Sequence, residues 1–567
     1  MKRRNFIKKA GFAAGVPLAF QGVPLRLMAE HKPLQRLASH SNNENVIVIV
    51  QLHGGNDGIN TFIPLEQYDL YYSRRANIAI PYQVGTRTAI PLDSTVPFAD
   101  QVGLHPDMND FKHMYDTGKA AVYQGVSYEN NNGSHFRGRD IWFMGGGADD
   151  YFSSGWVGRY LNAEFAPLTY PADFPTEEMP DPLALEMGND LSLIFHQTGN
   201  IPTSLSLGAS PDQVANTIAN LEGFLDQGLD PRGLPPDFLN GSPYTTEMDW
   251  ILGLEDKSET YIQRLSEIYQ NASETRVDYP DLYPFNAPPG ARRNPLSHQL
   301  RLAARLLGGG VKTKVFLVRM GGFDSHAQQA ESYDATMGTH AALLYHLSSA
   351  IRAFHEDLAS RGLSQRVLTM TMSEFGRRIG SNGSYGTDHG TGGPVMMFGP
   401  GVNPGIYGTN PDMADNNVAM QFDYRQLYAN LLHEWMGVDQ EVIANDIFFG
   451  DFISGPNPEG GNFEPLDVIR DVILSTDKFR PDFFQIEGVY PNPAIDTAEI
   501  RLFVNDRQQV TLSLLDNSGK ILQTREHHLT QGSHQLTIDL TTISPGFYYV
   551  KAESEKLNDT KKLIIRN

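Results

Sequence analysis

Four short polar clusters carry the side chains that could do chemistry. His53-Gly-Gly-Asn-Asp57-Gly58 follows directly on the apolar run Val46–Leu52. Ser134-His135-Phe-Arg137-Gly-Arg139 lies ten residues beyond the run Ala120–Gln124. Gly321-Gly-Phe-Asp324-Ser-His326 follows Lys314–Arg319. Ser373-Glu374-Phe-Gly-Arg377-Arg378 follows Arg366–Met372, and Gly386-Thr-Asp388-His389-Gly390 stands just before Pro394–Phe398. Asp57, Asp324 and Glu374, brought together without a cation, would repel and disturb each other's ionisation. A divalent metal resolves that repulsion. Mixed imidazole and carboxylate ligands suit zinc, manganese or iron, whereas oxygen ligands alone favour magnesium or calcium. The Asp-x-His spacing of Asp324 and His326 can deliver two ligands from one turn. Each fragment alone is ordinary: Asn56-Asp57-Gly58 is turn chemistry, and Arg377 and Arg378 could simply cover a helix with their stems. What sets them apart is their common placement.

That placement needs strands. Val46–Leu52 is a continuous β-branched run, the mark of a strand buried on both faces of a parallel sheet. Ala120–Gln124, Lys314–Arg319, Arg366–Met372 and Pro394–Phe398 read the same way. Leu344, Leu347, Ile351, Phe354 and Leu358 form one apolar stripe of a long helix. Helices are also expected over Asn294–Leu307, Asp212–Leu225 and Tyr424–Met436, the last ended by Gly437. Strands alternating with helices predict an α/β sheet covered on both faces. Sites in such sheets form beyond the carboxyl ends of the strands. Asp57, Asp324 and Glu374 should therefore converge on one rim. Residues 165–290 are less regular and Pro-rich, and read as an insertion that shapes a substrate cleft.

Gly455-Pro-Asn-Pro-Glu-Gly-Gly461 is loop chemistry. Beyond residue 485 the pattern changes to short alternating strands: Glu499–Val504, Gln509–Leu515, Lys520–Thr524, Gln535–Leu540, Phe547–Ala552 and Lys561–Ile565. With the hairpin signal Asp516-Asn-Ser-Gly519, they predict a small immunoglobulin-like β-sandwich. The expected organisation is a signal over 1–30, an α/β domain over 45–455, a linker over 456–484 and the sandwich over 485–567.

Composition sets limits. The chain has 567 residues, a net charge of −21 and no cysteine. The length exceeds a single core. Absent cysteines exclude disulfides, thiolate metal sites and a cysteine nucleophile. The acidic balance argues against nucleic acid or an anionic membrane as the main partner. Arg3 and Arg4, followed by a mild apolar run from Ala10 to Phe20, resemble a twin-arginine export signal. The run is too short for a spanning helix of ~20 residues. Among the remaining histidines, His105, His113, His298, His346 and His355 read as structural or solvated. His53, His135, His340, Asp388 and Arg139 are candidates for the layer behind the ligands.

In order along the chain, the clusters resemble the bacterial family catalogued as domain of unknown function 1501. That family is similar to the alkaline phosphatase and sulfatase superfamily. The resemblance implies an alkaline phosphatase-like α/β/α sandwich with a one- or two-metal site, zinc first, with manganese, magnesium or calcium as alternatives. Asp57 and Glu374 would serve a second metal; Asp324, His326 and His389 would hold the first. Ser134 would be the nucleophile, with Arg137 or Arg139 clamping the oxyanion of a phosphate or sulfate ester. One departure matters. Phe375 stands where the superfamily's Asp-His pair has histidine, so a second metal would bind weakly, recruit His53 or His135, or be absent. The alternative is a non-catalytic surface or assembly protein that kept the scaffold.

The tail resembles another family. Val489-Tyr-Pro-Asn-Pro493, Pro545-Gly-Phe-Tyr-Tyr-Val-Lys551 and Lys561-Lys-Leu-Ile-Ile-Arg-Asn567 look like the C-terminal sorting domain of the type IX secretion system of Bacteroidetes. The partners implied are the twin-arginine translocase, the type IX machinery and an anionic ester. The implied route runs through the periplasm to the cell surface or the medium.

Overall fold

The computed structural model describes residues 19–20, 23–24, 44–188, 191–199, 201–207, 260–458, 460–470 and 484–566, apart from 505–506, 517–518, 531 and 555–557. Nearly all of the twin-arginine segment, and all of Asp212–Leu225, lie outside the described residues. The chain divides into two compact units between Val472 and Ile473. Among the described residues, no helix is long and apolar enough to cross a membrane.

The larger unit is built on one mixed sheet. Its strands are β1 (Val46–Leu52), β2 (Ala120–Ser127), β3 (Ala184–Met187), β4 (Ser204–Leu207), β5 (Val315–Met320), β6 (Val367–Met372), β7 (Gly393–Phe398), β8 (Gly405–Tyr407) and β9 (Phe422–Asp423). They lie in the order β4-β3-β5-β1-β6-β7-β2-β8, with β9 also on β2. β1 is parallel to both neighbours, with Leu52 opposite Met320 of β5 and Gln51 opposite Met372 of β6. β7 runs antiparallel to β6 and β2. The strands β1, β2, β5 and β6 therefore share one direction and deliver their following loops to one rim.

All seven residues of β1 are buried. Alternation along a strand sends successive side chains to opposite faces. Val46, Val48, Val50 and Leu52 enter one core with helices α1 (Asn109–Asp116), α4 (Ser297–Gly308) and α5 (Thr339–Ser360). Ile47 and Ile49 enter the other, with α2 (His135–Met144), α3 (Trp156–Glu164) and α6 (Tyr424–Glu434). This is the expected α/β/α sandwich. The predicted stripe of α5 is buried along its whole length. α6 is two residues shorter than its apolar pattern. Gly437, at φ +71°, turns the chain so that the Val438 N–H returns to the Leu432 carbonyl at 3.0 Å, a glycine-type helix stop. The insertion is not merely loop: β3 and β4 extend the sheet at its edge.

Among its described residues the smaller unit has seven antiparallel strands: β10 (Phe484–Tyr490), β11 (Thr497–Val504), β12 (Gln508–Asp516), β13 (Ile521–Leu529), β14 (Gly532–Asp539), β15 (Gly546–Glu553) and β16 (Asn558–Ile565). They form a three-stranded sheet, β10-β11-β14, and a four-stranded one, β13-β12-β15-β16. Ala498, Ile500, Leu502 and Val504 alternate inward into the sandwich core. β10 is the strand the sequence pattern hides, because its register shifts between Ile486 and Gly488 and breaks the alternation.

Candidate metal centre

Asp324 lies four residues past β5 and is the hub of the rim. Its Oδ1 stands 3.4 Å from His135 Nε2, 3.3 Å from His326 Nε2 and 3.4 Å from His389 Nε2. His135, Asp324 and His389 offer ligand atoms that all lie within 4.8 Å of one another. His326 joins through its 2.8 Å approach to His389, Nε2 to Nε2. Asp324 and His326 share one loop, and the other two imidazoles come from elsewhere in the chain. His135 opens α2, and His389 closes the hairpin Arg377–Ser381/Thr387–His389, opposite Arg377.

Every imidazole has its other nitrogen turned to an oxygen that can only accept. His135 Nδ1 meets Glu374 Oε1 at 2.8 Å, His389 Nδ1 meets the Gly133 carbonyl at 2.7 Å, and His326 Nδ1 faces Asp388 Oδ1 at 3.5 Å. Protons are thus drawn to Nδ1 and lone pairs left at Nε2. His135 Nε2 is buried with no hydrogen-bond partner. Partial burial, only partly opposed by the Gly133 carbonyl, also holds the His389 ring below its ordinary pKa. That shift favours the neutral ring a ligand needs.

Burial opposes ionisation of Asp324, but the bond and charge of Arg377, with His135 and His389, outweigh it and pull the carboxyl down to about 2. Arg377 is itself buried. It gives Asp324 Oδ1 a 2.8 Å bond and donates to the carbonyls of Gly54, Gly55, Phe323 and Thr387. One guanidinium thereby ties three loops together. Glycines let these loops touch. A Cβ on Gly54, at φ +123°, would lie 2.1 Å from Asp324 N, and one on Gly386 would lie 2.4 Å from the carbonyl carbon of His326.

These residues fit a divalent ion. Tetrahedral zinc at ~2.0–2.1 Å from its ligands requires ligand–ligand edges of roughly 3.3–3.4 Å, which is the separation of Asp324 Oδ1 from the three imidazoles. His326 and His389 stand 2.8 Å apart, Nε2 to Nε2, a hydrogen-bond distance shorter than that edge.

The other expected residues lie apart or play different parts. Glu374 is buried, and its Oε1 accepts from Gly54 N at 2.8 Å as well as from His135. It stands behind His135, facing away from the hub. His53, half exposed, approaches the same oxygen at 3.5 Å. Asp57 is not brought to the cluster. Its carboxylate is fully buried, paired with equally buried Arg75 at 2.6 Å and bonded by Gln329, and its Oδ1 caps the short helix Gly58–Thr61. Burial opposes its ionisation, but Arg75, His340 and Gln329 hold it ionised. His340 serves this second network, bonding Asn56 Oδ1 at 3.1 Å. Ser134 caps the N-terminus of α2, with Arg137 N at 3.4 Å from its hydroxyl. The Arg137 guanidinium turns away to the carbonyls of Ala148 and Asp150 and lies over the Tyr151 ring. Phe375 is buried against both His135 and His389, with ring centroids at 4.8 and 4.6 Å, while the two imidazoles lie 4.3 Å from each other.

Arg75 and Gln329 are the residues that sequence reasoning missed. Arg75 sits 18 residues past Asp57 at the end of the helix Tyr68–Arg74 and belongs to no motif. A cleft of about 570 Å³ is lined by His53, whose ring lies 6.2 Å from that of His135, and by Arg139.

Residues 256–447 match the family described as protein of unknown function (DUF1501), and residues 488–566 match the secretion system C-terminal sorting domain. Both family resemblances drawn from the motifs are thereby shown. The first match holds the motifs at Asp324, Glu374 and His389, while the His53 and Ser134 clusters precede it. The sorting domain indicates interaction with the secretion machinery and export to the cell surface or the medium. No curated protein matches the chain in sequence. Similar solved structures include a protein in the alkaline phosphatase superfamily from Vibrio parahaemolyticus. It is 11% identical with a TM-score of 0.32, over 87% of this chain and 83% of that one. A sulfatase from Pseudoalteromonas sp. is 11% identical with a TM-score of 0.30, over 91% and 88%. An alkaline phosphatase from the Antarctic bacterium TAB5 is 11% identical with a TM-score of 0.23, over 64% and 94%.

Proposed function

We propose that this chain is an exported, metal-dependent hydrolase of phosphate or sulfate esters, holding one zinc ion per chain. The observation that carries the reading is the arrangement of three imidazole Nε2 atoms around Asp324 Oδ1, each ring fixed from behind. His135, His326, His389 and Asp324 would hold the ion; Glu374, the Gly133 carbonyl and Asp388 orient the rings. A bound ion supplies Lewis acidity that polarises an ester oxygen. A single ion follows from Asp57, whose charge is already met by Arg75.

Ser134 is the proposed nucleophile. It adjoins His135 and caps a ten-residue helix, whose N-terminal N–H groups and dipole favour an anionic group. Its oxygen would bond to phosphorus or sulfur as the ester oxygen leaves with a proton. Water would then cleave the Ser134 ester and restore the hydroxyl. His53, half exposed beside Glu374, would relay that proton. Transit through the twin-arginine translocase, with metal loaded before export, belongs to the same proposal.

Two measurements test the reading: metal content of the purified chain, and turnover of aryl phosphates, phosphodiesters and aryl sulfates. One zinc per chain with turnover abolished in Ser134→Ala is expected. An ion bound without turnover of any ester would decide for a non-catalytic surface protein, the reading favoured by Phe375, a side chain that cannot ligate, packed against His135 and His389.

A further inference from the structure

The cleft lined by His53 has a one-sided design. His135, Arg139 and Phe143 stand at i, i+4 and i+8 of α2, so they share one face, with Arg139 about 6 Å along the axis from His135. Arg139 and Phe143 both line the cleft. Opposite them, Gln51 and Arg319 come from the ends of β1 and β5. Leu191 and Leu193 add apolar wall.

The two guanidinium groups in this cleft differ. Arg319 is drawn onto buried Glu186 and the Ser192 hydroxyl, so its charge is already met inside the protein. Arg139 meets Asp140 at 3.5 Å, with the two side chains 36% and 43% exposed, and lies over the exposed Phe136 ring at 5.9 Å. A pair so long and so exposed is weak. Among the described residues of the cleft wall, Arg139 is the cation left to a ligand.

We infer that the preferred substrate is an ester whose organic half carries a second anionic group, such as a carboxylate, about one helical turn from the reacting ester. Arg139 binds that second anion and Phe143 floors the apolar part between. Arg139 thereby sets specificity. This rests on the hydrolase reading above, and the experiment separates the two.

The zinc-loaded full chain is assayed with 4-nitrophenyl phosphate and 3-carboxy-4-nitrophenyl phosphate, and with the matching sulfates. The carboxylated ester should show a kcat/KM about five- to tenfold higher, through KM, the size of one partly exposed charge-assisted contact. That ratio should fall to about one in Arg139→Met and return in part in Arg139→Lys. A ratio near one in the parent protein, or a preference that survives Arg139→Met, overturns the inference and leaves the hydrolase reading standing. If no ester is turned over, the hydrolase reading falls and binding decides the inference. The probe is then thermal stabilisation by phenylphosphonate against 3-carboxyphenylphosphonate. Equal stabilisation by the two overturns it, and a carboxylate gain that Arg139→Met removes supports it.

Discussion

Asp57 follows β1 by five residues and Asp324 follows β5 by four, on neighbouring strands that end level. Both carboxyls are held below their ordinary pKa. Asp57 is sealed in, facing a guanidinium that is itself fully buried. Asp324 is half exposed, shares one edge with buried Arg377, and presents its Oδ1 to three imidazoles. Position beyond a parallel strand therefore does not make a ligand. Both face a buried guanidinium, and what separates the two is that Asp57 is enclosed with its partner whereas Asp324 stays half open beside the imidazoles and leaves room for an ion.

The widest separation should come from paired substitutions. Arg75→Ala strands a buried carboxylate and should cost about 3–5 kcal/mol, read as a drop in the urea midpoint, with metal affinity per folded molecule unchanged. Asp324→Ala should do the reverse. It removes metal retention while costing about 1.5–3 kcal/mol, one charge-assisted hydrogen bond of Arg377. Equal stability losses in the two variants would break the comparison.

Acid should strike the enclosed network next. Burial pushes His340 down to about 4 and His355 to about 3, with His105 also well below its ordinary value. Below pH ~6.5 the unfolded chain takes up protons that these rings refuse in the fold, so stability is complete above that pH and is lost as pH falls. Roughly 1–2 kcal/mol per ring should go between pH 7 and 5. His340→Gln should flatten that slope in metal-free protein, and an unaltered slope would show that the ring is not held neutral.

The smallest effect tests the layer behind the hub. Glu374→Gln keeps the shape but weakens the hold on His135, and should lower zinc affinity about 10–100-fold. Isothermal titration would show this with the stability of the metal-free protein little changed. Complete loss of binding would instead make Glu374 a ligand.

The sheet was largely legible because runs such as Val46–Leu52 and the stripe on α5 are buried in both period and length. β3, β4 and β10 were not, being short or broken by a bulge. The clusters identified the rim, since strand ends can be read from pattern. Side-chain direction could not be read. Nothing in Glu374 or His135 tells which faces the hub, and nothing near Asp57 announces Arg75. Those assignments depend on which loop lies over which.

That overlap has a consequence for anyone who would redesign the centre. Gly54 and Gly386 clasp the Asp324–His326 segment from two sides through backbone alone. In a randomised library, variants at the imidazoles should survive as folded protein with altered metal preference. Variants at the two glycines should be purged together, whatever metal is supplied. The chemistry is the editable part of this rim, and its blank positions are the fixed one.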